Sequence, residues 1–94
     1  MPPKEKLLDK LFQKRMPRNF SKQELDSLMK QCNCIKGQGG RGSGIRYYHH
    51  RTGRILAFDE PHPGNDLYPY QIKLVRQFLK VTGEVKGDHK NDGI

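Results

Sequence analysis

Three histidines and a run of arginines in the middle of this chain have the side chains that phosphodiester chemistry needs. His49, His50 and His62 supply imidazoles, a group of which one can take a proton while another gives one. Cleaving RNA without a metal requires a base for the 2′-hydroxyl, an acid for the leaving oxygen and a cation for the phosphorane. His49, His50 and His62 are therefore the candidate catalytic residues, with Arg46 as the cation. Arg41, Arg46, Arg51 and Arg54 can neutralise phosphates, and Tyr48 can stack on an unpaired base. Each has a plainer use. Arg46 and Tyr48 fit ordinary cross-strand packing on an exposed face. His62, between Pro61 and Pro63, can fasten its loop by bonding to Asp59, Glu60 or Asp66. That is the commoner fate of a histidine, since no partner base is identified.

These residues need a sheet to hold them. Ile45-Arg46-Tyr47-Tyr48-His49-His50 and Ile55-Leu56-Ala57-Phe58 read as two strands. Arg51-Thr52-Gly53-Arg54 between them has hairpin length, with glycine where positive φ is wanted. Alternation places Ile45, Tyr47 and His49 on one face and Arg46, Tyr48 and His50 on the other, the latter shared with Gly44. Asn33 to Gly37 supplies a weaker first strand, and five glycines between Gly37 and Gly44 form either a loose turn or a loop whose amides and Arg41 approach phosphate. Asn33 to Phe58 carries five basic side chains and no acid, which suits a polyanion.

Helices flank this sheet. Leu7, Leu8, Leu11 and Phe12 put one apolar stripe on a helix over residues 4–15, ended by Met16-Pro17 and too short to stand alone. Ser21 and Glu24 make a capping box, Phe20 and Leu25 a hydrophobic staple, and Leu25, Leu28, Met29 and Cys32 the buried stripe of a second helix. The third starts at Pro69, buries Ile72, Val75, Phe78 and Leu79, and stops before Gly83.

At 94 residues the chain makes one small domain. A formal charge of +8 and a mean hydropathy of −0.92 favour nucleic acid or an acidic protein over a neutral small molecule. No apolar run reaches the length of a membrane span and no secretory leader is evident, so a cytoplasmic protein is expected. Cys32 and Cys34 are too close for an unstrained disulfide and lack a second pair for zinc. No metal and no cofactor is expected.

The order Gly42-Ser43, Tyr47, Gly53-Arg54, Pro61-His62-Pro63-Gly64 and a helix after Leu67 resembles the HicA family of toxins over about residues 21–82. HicA toxins are small RNA-cleaving members of toxin–antitoxin pairs. The resemblance implies a fold like a double-stranded-RNA-binding domain, with RNA and a HicB-like antitoxin as partners, and it adds Ser43 to the expected RNA contacts. The family motif is Gly-Ser-His, its histidine tied to cleavage. This chain reads Gly42-Ser43-Gly44, so that role does not carry over.

The expected fold is α+β: a three-stranded antiparallel sheet with helices on one face, in the order α-β-β-β-α, plus an extra N-terminal helix. Residues 1–17 form that helix and a linker, 18–83 the domain and 84–94 a disordered tail. Three functions stay open: an RNA-cleaving toxin, an RNA-binding module without nuclease activity, and a basic domain whose main partner is an acidic antitoxin-like protein.

Overall fold

Ser21 initiates the best-specified helix of the fold. Its hydroxyl accepts from the Glu24 amide at 3.1 Å and its own amide donates to Glu24 Oε1 at 2.9 Å, so the capping box is complete. Phe20 and Leu25, on either side of the cap, are fully buried. Ser21→Ala removes one half of this exchange and is expected to cost about 1 kcal/mol, read by chemical denaturation.

A computed structural model describes residues 3–37, 44–61 and 63–85. Along the chain these form α1 (Lys4–Leu11), α2 (Lys22–Gln31), β1 (Cys34–Lys36), β2 (Gly44–His49), β3 (Ile55–Asp59) and α3 (Pro69–Val81). The sheet is antiparallel in the order β1-β2-β3, an α+β fold with its helices against one face. Cys34, Ile45, Tyr47, His49 and Leu56 turn inward, where Leu11, Leu25, Leu28, Ile72, Val75 and Leu79 complete one core.

The extra helix belongs to that core. Leu7, Leu8, Leu11 and Phe12 are all buried, which an eight-residue helix requires, since it cannot hold itself together in water. It is shorter than the expected span of residues 4–15. Phe12 leaves helical geometry at φ −100° and ψ 13°. Arg76 of α3 donates Nε–H to the Leu11 carbonyl at 2.7 Å and a second N–H to Gln13 at 3.2 Å. A tertiary donor thus takes the Leu11 carbonyl that another helical turn would have used, while Gln13 O would have faced Pro17, which has no N–H. The Arg76 guanidinium also lies over the Phe12 ring.

The start of the expected tail is likewise part of the fold. Gly83 has φ +79°, its amide donates to Lys80 O, and the Glu84 amide reaches back to Leu79 O. This paired closure is a Schellman motif, which reverses the chain after α3. Val85 then buries itself against the core, and the Glu84 side chain points into the sheet. The tail assignment of 84–94 therefore fails at Glu84 and Val85, because the reversal gives both a place to pack; residues 86–94 lie outside the described residues.

Candidate nucleic-acid interface

The helices cover only one side of the sheet. Register across the other side aligns Ile35 with Tyr48 and Tyr48 with Ile55, then Arg46 with Ala57, then Gly44 with Asp59. Ile35, Arg46, Tyr48, Ile55, Ala57 and Asp59 are all exposed. The result is a shallow face with an apolar row at one end, a guanidinium in the middle and a carboxylate beside Gly44 at the other end. Tyr48 leans toward the β2–β3 turn, its hydroxyl 3.9 Å from where a Cβ on Gly53 would sit. Arg46 lies across toward its β1-side neighbour, its Cδ 3.6 Å from a Cβ built on Gly37.

The turn that ends this face is set by Gly53, which takes φ +77° and donates its amide to His49 O at 2.8 Å. The Arg54 carbonyl in turn accepts from the His49 amide at 2.8 Å, and the Arg54 amide donates to Thr52 Oγ1 at 3.2 Å. His50, Arg51 and Arg54 are exposed around it, extending the basic surface past the strand ends. Arg41, Ser43 and His62 lie outside the described residues.

His49 does not join His50 at the surface. Its side chain is 0% exposed and hydrogen-bonded at both ring nitrogens. Nε2 stands 2.6 Å from Glu84 Oε2, and Nδ1 stands 2.8 Å from Thr52 Oγ1. An imidazole with its hydrogen on Nε2 satisfies both contacts, donating to the carboxylate and accepting from the hydroxyl. The Glu84 side chain is 4% exposed and also receives Asn33 Nδ2–H at 3.1 Å, with Lys4 Nζ 3.6 Å from Oε1. In this arrangement no phosphodiester on the open face can reach the His49 ring. Its role here is to tie β2, the turn and the segment after α3 together.

Burial pushes the Glu84 carboxyl up, but hydrogen bonds from His49 and Asn33 and the charge of Lys4 outweigh it and hold the group below its ordinary 4.5. A folded-state value below the unfolded one stabilises the fold above about pH 4.5, and that contribution is lost as pH falls through the depressed value. Thermal melts are expected to show the parent losing more stability than Glu84→Gln as pH is lowered past this point.

Backbone and side-chain hydrogen bonds tie the loop after β3 to the start of α2. Leu67 N–H donates to Phe20 O at 2.8 Å, Lys22 N–H to Asn65 O at 3.0 Å and Asn65 Nδ2–H to Gln23 Oε1 at 2.6 Å. A groove of about 300 Å³ opens between this loop, α2 and the sheet. Asp26 and Glu60 line it together with Lys22 and Lys36, and Lys22 pairs with Glu60 at 3.8 Å. Its charges balance, so it suits an anion less well than the sheet face does. Cys32 and Cys34 are buried free thiols, pushed up to about 12 and about 11 mainly by desolvation, and so are inert as nucleophiles.

Sequence reasoning missed Glu84, Asn33 and the apolar row. Gly83 as a helix stop followed by Val85 was the available signal for the first, since an apolar residue just past a Schellman glycine commonly packs back on its helix. The row depends on the pairing register of three strands, which no single strand specifies. Compared with known proteins, the chain matches no family model, no curated protein and no solved structure.

Proposed function

We propose that this protein is the HicA-like toxin member of a toxin–antitoxin pair and that it binds RNA across the open face of its sheet. The observation carrying the reading is the joint exposure of Arg46 and Tyr48 on one unencumbered face, with Arg51 and Arg54 exposed at its end. Guanidinium groups hold the phosphates, and the Tyr48 ring offers a stacking platform for an unpaired base. Tyr48→Ala is expected to weaken binding of single-stranded RNA about tenfold, the loss of one stacked base, while leaving the melting temperature unchanged. Unchanged affinity in both Tyr48→Ala and Arg46→Ala would remove the sheet face from consideration.

Cleavage is a separate matter from binding. With His49 enclosed, the candidates left for proton transfer are His50, His62 and a group introduced at position 44. Gly44 pairs with Asp59 across β2 and β3, so a histidine introduced there stands beside a carboxylate able to orient it. Gly44→His is expected to produce RNA cleavage that the parent lacks or to raise it, measured by fragment analysis of a labelled RNA. A folded variant with no gain would show that the face binds without being poised for catalysis.

One observation favours an additional partner. Ile35, Tyr48 and Ile55 form a continuous exposed apolar row, more than phosphate binding requires. An acidic HicB-like antitoxin covering this row and pairing with the arginines would block RNA. Competition between the two partners for the parent, lost in Ile35→Ser with Ile55→Ser, tests that reading.

A further inference from the structure

We infer that two copies of this chain associate through the free edge of β3 and the adjoining flank of α3. Among the described residues no strand pairs with the outer side of β3, and the hydrogen-bond phase turns unpaired groups that way. His49 N–H donates to Arg54 O, and in an antiparallel ladder such bonded pairs alternate with unbonded ones. Leu56 and Phe58 therefore turn their amides toward β2, while Ile55, Ala57 and Asp59 turn theirs outward. Asp59 O takes a bond from Gln71 Nε2 at 2.7 Å and keeps a second lone pair.

Beside this edge α3 carries an uncovered apolar stripe. Tyr70, Leu74 and Val81 are 55%, 43% and 43% exposed and, with exposed Gln77, follow a four-three-four spacing along one side of the helix. That side adjoins β3: Gln71 reaches Asp59, and Phe78 meets His49, the partner of Arg54 in the ladder. Helix and strand thus run in opposite directions, with the start of α3 beside the end of β3 and Phe78 against His49 of β2.

The occupant follows from self-complementarity. A two-fold axis at Ala57 pairs β3 with β3 of a second copy, placing Ile55 opposite Asp59 and Arg54 opposite Glu60 of the second copy. The same axis, passing near the middle of α3, sets Tyr70 against Val81 and Leu74 against Gln77. Each row meets itself reversed, which is the condition for a closed isologous dimer. Although each chain carries +8, these pairings oppose no two like charges. The sheet becomes six-stranded, and both open faces stay free on one side of it.

Sedimentation equilibrium tests this over roughly a hundredfold range of protein concentration. The parent is expected at twice its 10.9 kDa chain mass, dissociating on dilution. Ala57→Pro removes only an outward amide, as an edge strand tolerates, and Leu74→Glu places a charge in the stripe. Both are expected at the chain mass with unchanged circular dichroism, whereas Tyr48→Ala stays dimeric. Ala57→Cys supplies a second readout: paired across the axis at a Cα separation of about 5.5 Å, it should form an intermolecular disulfide on mild oxidation. A parent at the chain mass throughout, or variants that remain dimeric, would overturn the inference. So would a monomeric parent whose capture of a co-expressed acidic antitoxin is lost in Leu74→Glu, which assigns this flank to that protein.

Discussion

RNA affinity should fall by about three orders of magnitude for a tenfold rise in monovalent salt. Four arginines, Arg41, Arg46, Arg51 and Arg54, lie in the acid-free stretch from Asn33 to Phe58, and each phosphate neutralised contributes about 0.7–0.9 to the logarithmic slope through counterion release. The structure gives the three described arginines exposed positions, so none loses its charge to a buried partner before RNA arrives. Removing Arg46 and Arg54 together is expected to lower the slope by roughly 1.6 and weaken binding at low salt. Tyr48→Ala lowers affinity with the slope intact, because stacking releases no counterions. A slope near zero in the parent would rule out phosphate recognition and leave the acidic protein partner as the main ligand of this face.

Glu84→Ala should lower the melting temperature by roughly 15 °C, the largest effect expected of any single substitution outside the apolar core. The carboxylate is almost wholly enclosed and is shared by His49, Asn33 and Lys4. Its removal strands the His49 Nε2–H in the core without an acceptor and frees the end of α3. Breaking a buried pair from one side costs about 3 kcal/mol or more, a large part of the stability of a domain this small. Removing both partners is a different experiment. His49→Leu combined with Glu84→Met leaves no stranded polar group and should recover much of the loss. If Glu84→Ala melts within about 2 °C of the parent, the network contributes little, and the region is held by Val85 and the Schellman closure alone.

The elements of this fold were legible because their signals are local. Ser21 and Glu24 announce α2 within four residues, Pro69 and Gly83 bracket α3, and the alternation of Ile45, Tyr47 and His49 assigns the inward face of β2 correctly. What escaped was everything decided by distant parts of the chain. The residue types that made His49 a candidate acid or base say nothing about Glu84, 35 positions later, which encloses it. The helical pattern of residues 4–15 continues past Leu11, but Arg76 ends the helix from 65 positions away. Ile35 and Ile55 look like ordinary core residues in sequence and become surface only once three strands take their register. Arg46 and Tyr48 were readable as an outward pair because strand alternation alone places them. The site is thus half local and half tertiary.

The contacts from α1 to the far end of the fold also fix when the protein can become itself. Lys4 and Leu11 are translated 80 and 65 residues before Glu84 and Arg76, the groups they meet in the fold. At about 5–20 residues per second the ribosome needs roughly 4–16 s to cover the longer gap. Until then the Phe12 ring lacks the Arg76 and Lys80 side chains that lie over it, and β2 has no Glu84 to close over His49. The described fold therefore stays incomplete until residues 76–85 have been made, and the closure of Glu84 over His49 is among the last of its contacts to become possible.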